Sequence, residues 1–417
     1  MTSPVALNAG PRGVRSRLVF LVALLATAAV LVTGCSSSGN DGKGGSSGSA
    51  PSASPSPDGP KLTVEPAANA TAVAPTSPIK LSIDKDTITA VTVKAADGDA
   101  IEGKVGADQR SWQSNEGKLA FGATYTVSVT TSGSPTPLTS KFSTVPTPSG
   151  DSSVRASSIL GDGKTYGVGM PIILKLSHSV KSDAARAKYE KMLKVTSNPS
   201  TTGAWGWISS TELHFRPSEY WKSGSTVHVS VDTAGREIAD GVWGRTDMTV
   251  DFKIGTNRRL VADSSTHTMT VSEGGEVVKS MPVSLGKPKY PSSSGTMLII
   301  DKRREAMFDS STYGLAVDSP DGYRTKVEYP MRLTWGGEFI HSAPWSVAQQ
   351  GNTNVSHGCI NVAPDMAIWL FNRVQVGDPV TVKNTETQVQ LGNGYTDWSL
   401  SFTDWLTHSQ SGVVTTA

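Results

Sequence analysis

The sequence predicts a mainly-β chain: two tandem β-sandwich modules, then a third mostly-β domain with a C-terminal extension. Three observations carry this. Apolar residues recur with a period of two in short runs, the pattern of half-buried strands. Gly 41 and Pro 24 in 417 residues, with abundant Ser and Thr, favour turns over long helices. One arrangement of early and late strands also occurs twice along the chain. At about 100–200 residues per domain, this length suits about three domains.

The N-terminus reads as an address. Arg12, Arg15 and Arg17 precede a run from Leu18 to Val32 that is apolar apart from Thr27. A helix crossing a bilayer needs about 20 apolar residues, so this shorter run fits the apolar region of an export signal. It ends in Val32-Thr33-Gly34-Cys35, which resembles a bacterial lipobox, whose cysteine is lipidated and becomes the mature N-terminus. An uncleaved anchor or an ordinary secretory signal is the alternative. Residues 1–35 are thus assigned as a lipoprotein signal peptide. Residues 36–60, nearly all Ser, Gly, Pro and Asp, form a disordered tether, since they hold too little apolar surface to offset ordering. The expected location is the outer face of the cell membrane, held there by the N-terminal lipid.

Residues 61–148 and 149–254 are the two sandwiches. In the first, Ile79, Leu81 and Ile83 alternate early, and Tyr125, Val127 and Val129 late. In the second, Ile172, Leu174 and Leu176 are matched by Val227, Val229 and Val231. Short strands between turn signals describe immunoglobulin-like sandwiches, here without a cysteine pair. One helix is expected, Asp183 to Leu193, capped by Ser182. Trp205 and Trp207 share one side of a strand, where core packing is favoured over a ligand platform. The acidic loop of Asp232, Glu237 and Asp240 lacks the ligand spacing of an EF-hand and reads as solvated rather than calcium-binding.

Residues 255–383 form the third domain. Its strand-like runs are Thr268–Val271, Val277–Val283 and Thr296–Ile300, with Leu333 to Ile340 leading straight to His341. The tail, 384–417, carries Trp398 and Trp405 without clear periodicity and is expected to pack on this domain.

Lys+Arg 38 against Asp+Glu 36 leaves a net charge of +2 with no basic stripe, which argues against nucleic acid as a partner. The two cysteines, Cys35 and Cys359, keep different company. If Cys35 is lipidated, Cys359 is a lone thiol in an exported chain, where cysteines normally pair. Such a thiol is a candidate nucleophile. It sits in Ser356-His357-Gly358-Cys359-Ile360-Asn361. Gly358 permits a tight turn that would converge main-chain N–H groups on one point, as an oxyanion hole requires. His341 and His357 are both available to withdraw the thiol proton. A zinc site of His341, His357 and Cys359 is disfavoured, because no second cysteine or acidic ligand lies nearby. No metal and no cofactor are expected.

His341-Ser342-Ala343-Pro344-Trp345, followed 18 residues after His341 by Cys359 in its Ser-His-Gly-Cys-apolar-Asn setting, resembles the signature of the L,D-transpeptidase catalytic domain, the YkuD family. Ser284-Leu285-Gly286-Lys287 and Gly295 resemble an upstream element of that family, although Ser293-Ser294 replaces its usual Thr-Pro. The whole layout resembles lipoprotein-type enzymes of high-GC Gram-positive bacteria, with two immunoglobulin-like domains before the catalytic one. The resemblance implies a peptidoglycan L,D-transpeptidase that attacks tetrapeptide stems after diaminopimelate, releases D-alanine and makes 3→3 cross-links. It implies acylation by carbapenems. Cys359 is then the nucleophile and His341 its base, oriented by the Ser342 carbonyl. Gly358 and Cys359 lend main-chain donors, Tyr323 is a lid residue near the oxyanion, and His357, Gly336, Gly337 and Asn361 contact substrate. Trp345 either lines the pocket or packs beneath the loop.

Two other function classes stay open on sequence. One is a wall-binding scaffold with an idle catalytic domain. The other is a thioester enzyme whose acceptor is water or a protein amine. Oligomeric state is not legible in the residues.

Overall fold

The computed structural model describes residues 59–416; the export signal, Cys35 and the tether up to residue 58 lie outside the described residues. In the first sandwich, Lys80–Ile83 alternates exposed Lys80 and Ser82 with buried Leu81 and Ile83. Thr124–Thr131 buries Tyr125, Val127, Val129 and Thr131 in the same way. One sheet holds four strands, with Lys80–Ile83 between Leu62–Glu65 and Ser111–Ser114; the other holds three, with Thr124–Thr131 in the middle. Ile79, Val93, Tyr125, Val127, Val129 and Phe142 meet between them. Each such side chain, fully buried, contributes about 1.5–3 kcal/mol.

The second sandwich repeats the plan. Thr226–Val231 buries Val227, Val229 and Val231 and pairs antiparallel with Leu193–Asn198 and Met248–Ile254. Its single helix spans Asp183–Glu190, with Ser182 accepting the Ala185 N–H at 3.2 Å. It ends three residues before the expected Leu193. From there Leu193, Val195 and Ser197 adopt period two, and Val195 pairs opposite Val229 in the sheet. Trp205 and Trp207 are core residues, and the Trp207 indole donates to Glu190 at 2.8 Å. In the acidic loop, Asp232 is taken by Lys118 and by Arg236 at 2.7 Å, and Glu237 accepts the Gly241 N–H at 3.0 Å.

In the third domain a six-stranded sheet is ordered Glu276–Pro282, Thr268–Glu273, Arg258–Asp263, Pro379–Lys383, Ser293–Leu298 and Thr387–Gln388. A second sheet, with Phe339–Ser342 between Met331–Arg332 and Ile360–Val362, carries the motif residues. The expected strand Leu333 to Ile340 is instead a hairpin: Met331 pairs with Ile340 and Arg332 with Phe339. Gly337, at φ 99°, makes the turn that an L side chain would resist. A helix that the strand-oriented reading passes over, Pro364–Arg373, buries Ala367 and Leu370. Its sequence signal is Pro364 at the first helical position with Asp365 beside it.

The C-terminal extension departs from expectation. It touches the third domain through Thr387–Gln388, but its end is built onto the second sandwich. Val414–Thr415 pairs with Thr202–Ser209, and buried Trp405 donates to the Ala204 carbonyl at 3.1 Å. The Trp398 indole reaches the Gly169 carbonyl at 2.7 Å, and buried Glu190 accepts N–H groups of Gln410 and Ser411. The physical reason is supply: the second sandwich offers an open strand edge and acceptors for two indoles. Leu298, Ile300 and Tyr395 join the second sandwich's core, so the second and third domains share buried apolar surface.

Candidate active site

Strand register places the pair. Phe339–Ser342 and Ile360–Val362 run parallel, with Ile340 opposite Ile360, His341 opposite Asn361 and Ser342 opposite Val362. Side chains alternate faces along a strand, so Ile340, Ile360 and Val362 enter the core while His341, Asn361 and the adjoining Cys359 share the other face. Two residues far apart in sequence are thus neighbours because of one parallel ladder.

The loop before Cys359 is held from several sides. Gly358 lies at φ 112° and its N–H donates to Ser356 Oγ at 3.1 Å. That hydroxyl donates in turn to the Cys359 carbonyl at 2.6 Å. Ser292 Oγ accepts the Gly286 N–H at 3.0 Å and donates to the Gly358 carbonyl at 2.7 Å. This is the N–H expected to serve an oxyanion, and here the loop's own serine holds it. Ser292 and Ser356 are loop-fixing residues that residue-type reasoning passes over, although Ser356 belongs to the motif. The Ser293-Ser294 departure also finds a partner, since Ser293 N–H and Oγ both donate to Glu338 Oε1, at 3.1 and 2.8 Å. A proline at 294 would lack the Ser294 hydroxyl, which accepts the Thr385 N–H at 3.1 Å.

His341 is buried, and its Nδ1 lies 2.8 Å from the Ser342 carbonyl, which can only accept. Nδ1 therefore carries the proton and Nε2 keeps its lone pair. Burial pulls the imidazole down to about 4, the Ser342 carbonyl opposing only in part. Burial likewise pushes the Cys359 thiol up to about 12. Both shifts favour the uncharged imidazole and the uncharged thiol. The thiol Sγ sits 3.7 Å from the Gly337 carbonyl.

Cys359, His341, Tyr323, His357, Asn361 and Trp345 line one cavity of about 280 Å3. Gly336 and Gly337 line a larger neighbour of about 600 Å3, and Phe308 and Tyr323 border both. Phe308 also meets the His341 ring edge-on at 5.4 Å, a contact that sequence reasoning missed for lack of any local motif. Trp345 is exposed at the rim, 5.9 Å from the His341 ring, and so lines the pocket rather than packing beneath the loop. The Asn361 amide nitrogen is fixed by Ser346 at 3.0 Å, while its Oδ1 is buried without a partner. His357 lies tilted between Tyr290 and Tyr323, with ring centroids 4.9 and 5.3 Å away, and takes no place beside Ser342. Among the described residues, no cluster of three metal-ligating side chains forms. The arrangement suits attack on a carbonyl by a thiol whose proton leaves to a fixed imidazole.

Comparison with known proteins gives two family matches: a bacterial Ig domain over residues 70–237, and the L,D-transpeptidase catalytic domain over residues 257–382. L,D-transpeptidase 2 of Mycobacterium tuberculosis is 36% identical over 347 residues, covering 83% of this chain and 84% of that protein. L,D-transpeptidase 1 of the same species is 39% identical over 223 residues, covering 53% of this chain and 81% of that one. A solved structure of an L,D-transpeptidase with imipenem is similar at 37% identity and a TM-score of 0.49, over 55% of this chain and 99% of that one.

Proposed function

Because the chain belongs to the L,D-transpeptidase family, we propose that it cross-links peptidoglycan stems through a thioester on Cys359. One observation carries the assignment of residues: His341 and Cys359 share the open face of a parallel strand pair, with the imidazole tautomer set by the Ser342 carbonyl.

In the first half-reaction Cys359 Sγ attacks the carbonyl joining diaminopimelate to the terminal D-alanine, and the thiol proton passes to His341 Nε2. The C–S bond forms, the peptide C–N bond breaks, and the proton leaves on the amine of D-alanine. In the second, the side-chain amine of another stem's diaminopimelate attacks the thioester. The C–S bond breaks, a 3→3 peptide bond forms, and the amine's proton returns through His341 to the thiol. Splitting one acyl transfer into two is the advantage of covalent catalysis. Tyr323 and the Cys359 N–H are the donors assigned to the developing oxyanion; Asn361 and the Gly336-Gly337 turn are assigned to substrate. Carbapenems acylate the same sulfur.

Lipidation of Cys35, the tether and attachment at the outer face of the membrane complete the reading. They rest on the Arg-rich start, the short apolar run and the lipobox-like residues.

The test is incubation of the purified chain with disaccharide-tetrapeptide. Cross-linked dimer and free D-alanine should accumulate, and neither should form with Cys359→Ala. Dimer formation by that variant would overturn the assignment of Cys359. Turnover to hydrolysed tripeptide alone would overturn transpeptidation in favour of water as acceptor.

A further inference from the structure

Cys359 is 7% exposed and His341 4%, and both line the same cavity. Tyr323, which also lines it, ends the segment between the paired strands Glu305–Asp309 and Arg324–Glu328. Its base is zipped by the Ser310 N–H to the Tyr323 carbonyl and by the Tyr323 N–H to Ser310 Oγ, both at 3.0 Å. Two residues before Tyr323, Asp321 reaches across to the loop that follows Ser284. There Lys287 binds Oδ1 at 2.9 Å, Lys289 binds Oδ2 at 2.5 Å, and the Tyr290 hydroxyl donates to Oδ2 at 3.3 Å. This loop is joined to the nucleophile's own loop, since the Lys287 N–H donates to the Ser356 carbonyl at 3.0 Å. His357 Nε2 is buried without a hydrogen-bond partner and points the same way, 3.8 Å from Asp321 Oδ1.

We propose that Lys287, Lys289 and Tyr290 form a carboxylate-binding subsite next to His357, which lines the cavity, that Asp321 occupies it in this structure, and that a free carboxylate of the peptide stem replaces Asp321 as its segment lifts. The inference rests on the reading of Cys359 as nucleophile and adds to it how the substrate is recognised. Asp321 is the stand-in: its two oxygens each take an ammonium, the arrangement a stem carboxylate would take. Its carboxyl is held far below the usual carboxylate range by Lys289 and Lys287, so it remains an anion whenever the stem is one. Exchange of one carboxylate for another conserves charge at the lysines. Lifting that segment therefore leaves neither cation unpaired, whereas a neutral amide in the same place would. The ammonium groups lie close to solvent, with Lys289 66% exposed, so exchange needs no burial of new charge.

Alkylation of Cys359 by iodoacetate and by its neutral counterpart iodoacetamide, followed by mass spectrometry on the full chain, tests this without any need for transpeptidation. Asp321→Asn should raise the iodoacetate rate over the iodoacetamide rate by roughly tenfold relative to wild type, the scale of one charge-assisted contact. Adding Lys287→Ala with Lys289→Ala should abolish that preference while leaving the iodoacetamide rate raised. Equal acceleration of both reagents by Asp321→Asn, or a preference that survives loss of both lysines, overturns the subsite. In the wild-type background the lysine pair should also raise KM for a stem with free carboxylates and not for its amidated form; an equal rise for both overturns it too. Absence of stem turnover with the reagent preference intact would instead count against the proposed reaction alone.

Discussion

At the Cys359 sulfur, burial sets the chemistry before any substrate arrives. A thiol pushed up to about 12, in one cavity with an imidazole pulled down to about 4, favours the uncharged forms, so proton transfer is expected to accompany attack. The acid limb of acylation should accordingly fall near pH 4 rather than 6.5, because His341 serves as base only while neutral. The pH dependence of adduct formation with a carbapenem, followed by mass spectrometry, checks this; a fall in rate already complete at pH 6 would contradict it. Replacing His341 with Gln should slow acylation by about 10²–10⁴-fold, the usual contribution of a positioned base. Gly358→Ala should both slow acylation and lower stability, since φ 112° is strained for any residue with a Cβ. Comparing adduct rate with the urea midpoint separates the two effects.

Among elements, the parallel pair Phe339–Ser342 and Ile360–Val362 matters most, because a one-residue slip would turn His341 into the core and Ile340 into the cavity. The helix Asp183–Glu190 matters for the extension, since it ends at Glu190, the buried carboxylate to which Trp207, Gln410 and Ser411 donate. Ser182→Ala should cost about 1 kcal/mol through loss of the cap on Ala185, read as a lower urea midpoint with unchanged slope. Trp405→Ala removes a fully buried indole lying over Gly206 and should cost about 3–5 kcal/mol. A Trp405 variant with unaltered stability would mean that the extension is dispensable to the second sandwich.

For the whole molecule, the extension joins two domains through buried charge. His214 in the second sandwich is bonded to Asp397 of the extension at 2.7 Å and to Glu212 at 3.0 Å. Burial alone would lower its pKa, yet the two carboxylates outweigh it and hold the imidazole up at about 9. A folded pKa above the unfolded value of about 6.5 stabilises fully below pH 6.5 and is lost as pH rises through 9. Wild-type Tm should therefore fall between pH 7 and 9.5 more steeply than that of His214→Gln. Parallel Tm curves would remove His214 from the account.

Period-two alternation was enough to locate Lys80–Ile83 and Thr124–Thr131 in the first sandwich and Ile172–Leu176 and Thr226–Val231 in the second, because a half-buried strand must alternate whatever surrounds it. The Cys359 loop, with His341 upstream, was legible as chemistry for a similar reason: an unpaired thiol beside glycine and two histidines is unusual wherever the chain folds. Tertiary structure decided what depends on distant partners. It ended the helix at Glu190, turned the chain back at Gly337, gave the Gly358 N–H to Ser356, and sent the extension to the second sandwich. It also brought Asp321 to Lys287 and Lys289, and it set the pKa values of His341 and Cys359. Local periodicity and composition are written in consecutive residues, whereas burial, register and the matching of donors to acceptors are properties of surfaces that meet only after folding.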